Sequence, residues 1–311
     1  MTERENLLRT LRRESPEWIP MEQKSMVLID PSCLRDRVEN GYDSFGVKWI
    51  ESVTDISAAR VLPDITKWRE VIKFPDVESL DWEGSAKADL AGIDRESKAL
   101  WIPFRRGPFE RLHSLMGFED ALCSLLEEPD EVKAFVSVYA DYRIACIRKA
   151  VEYYKPDIMS IHDDYGTQIS LFMAPGAWRE IIKPSLKRMF DAIRENGIIG
   201  VLHSCGKLDE IAGDFVELGI DVWDSFQACC DRNAIYARYG DKMAFTPSPD
   251  MQKAALITDN EEIRQMVRDT IDSLSKYGNV MIRAPHPTAV SREHGDIIND
   301  EIEKYGRDYY V

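Results

Sequence analysis

From residue 99 to residue 285, short apolar segments alternate with longer segments whose apolar residues recur every three or four positions. The short segments have the length of strands and are almost continuously apolar: 99–104, 157–162, 198–204, 220–226, 242–247 and 279–285. The longer segments have the spacing of helices with one buried face: 130–154, 178–196, 208–218 and 259–274. Apolar strands separated by such helices predict a parallel sheet that is covered on both faces.

The number of these units predicts a closed barrel. With the less regular N-terminal part included, the sequence contains about seven or eight strand–helix units, and a barrel of eight takes about 250 residues. No glycine-rich nucleotide fingerprint follows any predicted strand, which disfavours an open, doubly wound sheet. We therefore predict an α/β fold: a single domain, 1–311, built as a (β/α)8 TIM barrel with an N-terminal extension of helix and loops.

The predicted extension has three parts. Residues 3–13 place Leu7, Leu8 and Leu11 at helical spacing among charged residues, which predicts a surface helix. The apolar pair 18–19 between two prolines predicts a short strand. Residues 30–98 are rich in turn-forming residues and predict loops and short elements over one end of the core.

The charge balance disfavours nucleic acid as a partner. The chain has 40 Lys and Arg against 55 Asp and Glu, a net charge of −15, so its average surface repels phosphate backbones. No apolar stretch approaches the roughly 20 residues that span a bilayer, and the first residues lack the apolar core of a signal peptide. These features predict a cytoplasmic protein without a membrane partner. Its six cysteines are too few for a disulfide scaffold and are expected to be thiols.

Polar side chains follow five consecutive predicted strands. In a parallel barrel these positions lie on one rim, where functional residues collect. The residues in these positions are His162, Asp163, Asp164 and Tyr165; His203 and Cys205; Asp224, Gln227, Cys229 and Cys230; Ser248 and Asp250; and His286.

The pair His203 and Cys205 is the sharpest local feature. Residues two apart in extended chain point to the same side, so the imidazole and the thiolate can reach one ion. Nitrogen with sulfur favours zinc, and a catalytic zinc has three protein ligands. The third ligand is left open among His286, Cys229, Cys230 and a carboxylate of Asp163 or Asp164.

The other rim residues have more than one interpretation. Asp163 and Asp164 are candidates for metal binding, proton transfer or orientation of a ligating histidine, and equally for a helix N-cap. Arg105 and Arg106 are candidates for clamping a substrate carboxylate, or for a solvated turn. Cys229 and Cys230 are expected to be core thiols unless they bind the metal, and His113 and His294 are expected to lie on the surface. The residues predicted to bind substrate are His162, Tyr165, Gln227 and Arg105.

The chain resembles the uroporphyrinogen decarboxylase superfamily nearly from end to end. The resemblance rests on the order and spacing of several segments: RENLLRTLRRESPEWIPM, DSFGVKW, FPDVESLDW, GPFERLHSLMGFEDAL, HDDYGTQISLFMAPGAWREIIKPSLKRMFDAIRENG, LHSCGKLDEIAGDFVELGIDVWDSFQ and RYGDKMAF. This superfamily consists of (β/α)8 barrels and includes decarboxylases and corrinoid-linked methyltransferases. The decarboxylases carry an arginine-rich segment that grips tetrapyrrole carboxylates, whereas residues 21–25 here read MEQKS, without arginine.

The methyltransferase branch of this superfamily is the better match. Its zinc pattern begins with a histidine and a cysteine, which His203 and Cys205 match, and ends with a cysteine near the last strand, where APHPT offers His286. The resemblance implies a zinc-assisted transfer of a methyl group from a small substrate, such as an aryl methyl ether, to a corrinoid protein that carries cobalamin. Asp163 or Asp164 would orient a ligand or supply a proton, and Asp250 would line the mouth.

Two other functions remain open from the sequence. One is a decarboxylase of a tetrapyrrole or other carboxylated aromatic, with Asp163 or Asp164 as the proton donor. The other is a non-catalytic module that binds a corrinoid or a substrate. The missing arginines and the HSC segment favour the methyltransferase, which would belong to an anaerobic one-carbon system.

Overall fold

The computed structural model describes residues 1–34, 41–49, 60–285 and 289–310. His286 therefore lies outside the described residues. Within them, six strands form one sheet: β1 (Met26–Leu28), β2 (Ala99–Phe104), β3 (Ile158–His162), β4 (Ile199–His203), β5 (Val222–Phe226) and β6 (Ala244–Pro247). Each strand pairs in parallel with the next one along the chain, and the sheet curls into a half-barrel. The predicted α/β class and parallel sheet are confirmed.

The predicted last strand is present only as single bridges. Val280 pairs in parallel with Phe245 of β6, and Ile282 pairs with Met21. The amide of Met281 donates to the Phe245 carbonyl at 3.1 Å, and the amide of Arg283 donates to the Pro247 carbonyl at 2.8 Å. This segment therefore follows β6 along its length and brings Arg283 to the carboxyl end of the sheet.

The described residues form fourteen α-helices. They are α1 (Glu3–Arg12), α2 (Glu22–Ser25), α3 (Trp68–Val71), α4 (Trp82–Asp89), α5 (Pro108–Met116), α6 (Phe118–Glu127), α7 (Pro129–Tyr154), α8 (Pro175–Ala177), α9 (Lys183–Arg194), α10 (Ala212–Leu218), α11 (Arg232–Tyr239), α12 (Met251–Ala254), α13 (Asn260–Leu274) and α14 (Arg292–Arg307). None of them combines the length and apolar content that a membrane span requires.

The long predicted helices are confirmed with small differences at their ends. The helix predicted over 130–154 is α7, and that over 259–274 is α13, whose N-cap is Asp259. The helix predicted over 178–196 divides into a π-helical turn, Trp178–Ile182, and α9. Pro184 has no amide hydrogen to donate four residues back, which explains a widened turn just before it.

Helix α1 closes the amino-terminal end of the half-barrel. Leu7 and Leu11 are fully buried in one cluster with Met281 and the first residues of all six strands: Met26, Ala99, Ile158, Ile199, Val222 and Ala244. The helix predicted over 3–13 is confirmed as α1, which keeps Arg9 and Arg12 on the exposed surface while its leucine face seals the barrel. The expected strand at 18–19 was wrong, since these residues form no ladder. With this end closed, the carboxyl ends of the strands form the accessible rim.

Candidate metal centre

Four side chains lie in one row across the carboxyl ends of the central strands. The strand register places His162 of β3 opposite His203 of β4, His203 opposite Asp224 of β5, and Asp224 opposite Thr246 of β6. Residues in register on parallel strands point to the same face of the sheet. The two imidazole rings stack with centroids 4.4 Å apart.

Asp224 orients the His203 ring. Its Oδ2 lies 2.7 Å from His203 Nδ1, Arg283 Nη1 lies 3.0 Å from both carboxylate oxygens, and the Thr246 hydroxyl donates to Oδ1. Burial would raise the pKa of Asp224, but Arg283 and His203 outweigh burial and hold it far below its ordinary value. The ionised carboxylate therefore accepts the Nδ1 proton and leaves Nε2 facing the cavity.

Cys205 and Asp164 meet His203 at this Nε2 atom. Cys205 Sγ lies 3.6 Å from Nε2, and Asp164 Oδ1 lies 3.9 Å from it. The amide of Cys205 donates to the same Asp164 oxygen at 2.8 Å, which fixes the carboxylate. Among the described residues, these three form the one group of His, Cys, Asp or Glu side chains whose ligand atoms all lie within 4.8 Å of one another.

Two glycines bring the loops that carry these residues together. Gly206 follows Cys205 with a φ of +96°, and a Cβ there would meet the Gly166 backbone at 2.3 Å. Gly166 follows Asp164 by two residues, and a Cβ there would meet the Lys207 amide nitrogen at 3.0 Å. The loops after β3 and β4 therefore pack backbone against backbone, which places Asp164 beside Cys205.

The donor set fits zinc. Tetrahedral zinc with bonds of about 2.0–2.3 Å separates a nitrogen and a sulfur ligand by roughly 3.5 Å, and nitrogen and oxygen ligands by roughly 3.3 Å. The observed separations of 3.6 Å and 3.9 Å need only a small closure. Burial lowers the pKa of His203, but Asp224 outweighs burial and raises it well above its ordinary value, so zinc must displace a proton from the ring.

Cys229 and Cys230 do not join this group. Cys230 is buried, its Sγ donates to the Gly206 carbonyl at 3.2 Å, and burial raises the pKa of its thiol to about 12. Cys229 lies on the wall of the cavity, and its Sγ lies 3.8 Å from Gln227 Oε1. Of the ligands considered from the sequence, the structure brings Asp164 to the histidine–cysteine pair.

Asp163 supports the start of α5. Its carboxylate accepts the amides of Phe109 at 3.1 Å and Glu110 at 2.7 Å, and the Tyr165 hydroxyl at 2.6 Å. Asp163 and Tyr165 are both fully buried. The N-cap interpretation of Asp163 therefore applies, but to a helix that precedes it in the chain by more than fifty residues rather than to one that follows.

Glu110 lies between the two aspartates and was not found from the sequence. Its Oε1 accepts the Asp164 amide at 3.3 Å. Burial, with Asp164 and Asp163 adding to it, raises the pKa of Glu110 to about 8. Burial also raises the pKa of Asp163, to about 7, so the neighbouring carboxyl groups of Glu110 and Asp163 together retain a proton at neutral pH.

The remaining predicted residues surround the centre. His162 Nε2 lies 2.9 Å from the Ser160 hydroxyl, behind the His203 ring. Gln227 Oε1 accepts the Gly206 amide at 3.1 Å, and Asp250 caps α12 by accepting the Lys253 amide at 3.1 Å. Arg105 pairs with Asp30 at 3.0 Å.

Arg106, His113 and His294 are less exposed than the sequence suggested. Arg106 is buried with a φ of +63° and stacks on the Trp49 ring, so the solvated-turn interpretation was wrong for it. His113 packs edge-on against Phe109, and burial lowers the pKa of its imidazole to about 4. His294 is half-buried in the first turn of α14. The expected surface position of His113 was wrong, because its sequence neighbours do not reveal tertiary cover, whereas His294 keeps part of its side chain exposed.

The centre opens into a cavity of about 650 Å³ at the rim. Its wall has three glutamines, three hydroxyl side chains and several small residues, and among the described residues that line it there is no Phe, Tyr or Trp. The described lining residues are Gln168, His203, Cys205, Ser225, Gln227, Ala228, Cys229, Thr246, Ser248, Pro249, Asp250, Met251, Gln252, Arg283, Ala284 and Ala289.

The partners of His203 and Cys205 were the least predictable part of the site. Asp224 ends a predicted strand, which was a usable signal, but nothing in the sequence assigns it to His203. Arg283 was predicted only as strand, and Ser225 reaches the site through an irregularity of β5. These three residues converge through strand register and tertiary packing, not through any local motif.

Comparison with known proteins gives a family match and structural likenesses that include one over nearly the whole chain. Residues 86–283 match the model of the uroporphyrinogen decarboxylase (URO-D) family. A methyltransferase from Methanosarcina mazei is 14% identical, with a TM-score of 0.72 over 98% of this chain and 99% of that one. A B12-independent methionine synthase from Shewanella sp. W3-18-1 is 12% identical, with a TM-score of 0.47 over 74% of this chain and 66% of that one. No curated protein sequence matches the chain.

Proposed function

The chain belongs to the uroporphyrinogen decarboxylase family, and we propose that within this family it is a zinc-assisted methyltransferase. The observation that carries the proposal is the group of Asp164, His203 and Cys205, which sits at the rim beside an accessible cavity. The whole-length likeness to the fold of a methyltransferase supports it. We further propose that the single domain closes as a complete (β/α)8 barrel, which the bridges at Val280 and Ile282 support.

The residues of the centre have distinct proposed roles. His203, Cys205 and Asp164 would hold zinc, and His286 is a further candidate ligand. Zinc bound there would act as a Lewis acid toward the heteroatom that carries the methyl group. Asp224 keeps the His203 ring in the tautomer that can ligate, while Asp163 and Tyr165 hold the start of α5 and with it Glu110.

The proposed reaction moves a methyl group from a small donor, such as an aryl methyl ether, to cobalamin on a partner corrinoid protein. The methyl–oxygen bond would break as the methyl group passes to Co(I) of the partner's cobalamin, and the leaving oxygen would take up the proton that the Glu110 and Asp163 carboxyl groups retain. Gln227 and Asp250 lie on the cavity wall where the donor would bind, and His162 stacks on the His203 ring. A Co(I) acceptor and the Cys205 thiol suit a reducing cytoplasm and an anaerobic one-carbon system.

The first experiment measures zinc content and methyl transfer together. We expect about one zinc per chain in the purified protein, lost in His203→Ala and Cys205→Ser. Cys123→Ser, which changes an exposed thiol on α6, serves as the control and keeps the metal. Transfer from 2-methoxyphenol to free cob(I)alamin, followed by the cobalamin absorbance, is expected only from the zinc-containing proteins. Full zinc in both site variants would refute the centre.

Decarboxylation is the second candidate, favoured by the protonated state of Glu110 beside Asp164. A carboxyl group that keeps its proton at neutral pH is suited to protonate a carbanion. Release of CO2 from uroporphyrinogen or another carboxylated aromatic, without any corrinoid, would establish it. Binding of a corrinoid protein with neither reaction would instead identify a non-catalytic module.

A further inference from the structure

Strand β5 contains an irregularity at the metal centre. Its pairing with β6 shifts between Asp224, which pairs with Thr246, and Phe226, which pairs with Pro247, so Ser225 is an extra residue without a partner. Ser225 has a φ of +64°, in the left-handed region that serine rarely adopts. An extra residue in this conformation is a β-bulge.

The bulge allows two consecutive side chains to reach the same site. In a regular strand Asp224 and Ser225 would point to opposite faces of the sheet. Here the Asp224 carboxylate contacts His203 Nδ1 at 2.7 Å, and the Ser225 hydroxyl lies 3.3 Å from Cys205 Sγ. One irregular position on β5 therefore supplies a hydrogen-bond partner to each of two proposed ligands.

We propose that Ser225 is a positioning residue that sets the donor strength of the Cys205 sulfur. This inference rests on the proposed metal centre. A metal-bound cysteine is a thiolate and has no proton to donate, so the serine hydroxyl donates to the sulfur. That hydrogen bond withdraws electron density from the thiolate, fixes the Cys205 side chain toward His203 Nε2 and makes the bound metal a stronger Lewis acid.

The strained backbone separates this role from a purely structural one. Glycine adopts a φ of +64° without the steric conflict that a side chain causes, so a position selected only for the bulge would favour glycine. Ser225→Gly therefore removes the hydroxyl while it relieves the backbone. The metal-free fold should keep or gain stability, whereas the centre should bind metal more weakly. Stability and metal affinity should therefore move in opposite directions.

The test uses full-length protein loaded with Co²⁺, whose thiolate-to-metal charge-transfer band reports on the sulfur. We expect Ser225→Gly to weaken metal affinity by about tenfold in chelator competition. The charge-transfer band should move to lower energy, because the thiolate loses its hydrogen bond, and the melting temperature of the metal-free protein should be unchanged or higher. Ser248→Ala, a hydroxyl on the same cavity wall, is the matched control and should leave the affinity and the band as in the wild type.

Three results would overturn the inference. The first is a Ser225→Gly variant with the charge-transfer band and metal affinity of the wild type. The second is a Ser248→Ala variant that shows the same band shift and loss of affinity as Ser225→Gly. The third is a wild-type chain that binds no Co²⁺, which would remove the metal centre and the proposed function together. The charge-transfer band and the affinity depend on metal binding and not on methyl transfer. If Ser225→Gly shifts both while the wild type transfers no methyl group, the result supports the role of Ser225 and counts against the methyltransferase proposal.

Discussion

Asp224 is the residue on which the geometry of the centre depends most. It is buried, it contacts His203, Thr246 and Arg283, and it decides which imidazole nitrogen faces the cavity. Arg283 is in turn paired with Glu22 at 3.1 Å, so the chain of charges reaches the N-terminal segment. A metal site of this kind depends as much on such partners as on its ligands.

Asp224→Asn tests that dependence. The amide keeps the size of the side chain but loses the charge that holds the Nδ1 proton, so zinc affinity is expected to fall by about 10- to 100-fold. Competition with a chromogenic chelator measures this. Asp221→Asn is the control, since the Asp221 carboxylate lies just before the first residue of β5, where it accepts a hydrogen bond from the Gly200 amide. Equal affinities of Asp224→Asn and wild type would contradict the assigned role.

Glu110 predicts a dependence of stability on pH. Its pKa of about 8 in the folded protein lies above its ordinary value of 4.5, so the folded state binds more protons than the unfolded state between these values. The free energy of unfolding of the metal-free protein should therefore fall as the pH rises from 5 to 9, by up to about 4 kcal/mol.

Glu110→Gln should reduce this slope without removing it, because the amide cannot ionise while Asp163 and His203, whose pKa values are also raised, continue to titrate. Urea unfolding at pH 5 and pH 9 provides the measurement. Glu119→Gln, at an exposed position in the first turn of α6, should keep the wild-type slope. A wild-type profile that rises over this interval would show that Glu110 is ionised in the fold.

At the scale of elements, the site is made by two loops and one irregular strand. The loops after β3 and β4 approach closely because Gly166 and Gly206 face each other without side chains. The bulge in β5 then adds Ser225 to the same point. Regularly paired positions on β4 and β5 supply His203 and Asp224, whereas Asp164 and Cys205 depend on how the loops leave the strands.

Gly206→Ala should damage both the fold and the site. An added Cβ would lie 2.3 Å from the Gly166 backbone, and the φ of +96° disfavours alanine, so we expect a loss of about 2 kcal/mol or more in unfolding free energy. Zinc affinity should fall as well, because Cys205 must move. Gly176→Ala is the control, since no atom lies within 4 Å of its added Cβ. Urea unfolding and chelator competition report the two effects, and a variant like wild type in both would refute the loop contact.

At the scale of the whole molecule, charge should govern which donors bind. The chain carries a net charge of −15, and carboxylates outnumber guanidinium groups around the cavity. The groups are Asp164, Asp224, Asp250 and Glu22 against Arg232, Arg283 and, in the metal-free protein, the protonated His203. Arg283 is already paired with Asp224 and Glu22 and is not placed to receive a substrate carboxylate.

A matched series of methyl ethers tests this prediction. In metal-free protein, where a carboxylate cannot gain by ligating zinc, methoxyacetate should bind several-fold more weakly than 2-methoxyethanol or 2-methoxyethylammonium. Ligand-observed NMR titrations give the three affinities. Added salt should reduce the difference in affinity between methoxyacetate and the other two ethers, and so should Asp250→Asn. Tightest binding of the anion would contradict the charge argument.

The sequence alone determined the architecture because hydrophobic periodicity reports which face of a segment is buried. It predicted five of the six described strands, the long helices, the rim on which polar residues collect and the pairing of His203 with Cys205. It also carried the family resemblance that the match over residues 86–283 confirms. These properties depend on residues close together in the chain.

Only the tertiary structure decided the rest. It placed α1 across the end of the barrel and Asp163 at the start of α5. It also brought Asp224 into contact with His203 and Ser225 into contact with Cys205, so that residues from different strands and loops meet. Such contacts depend on strand register, on one bulge and on two glycines that let loops touch. No local pattern encodes them, because each is set by how separate segments pack together.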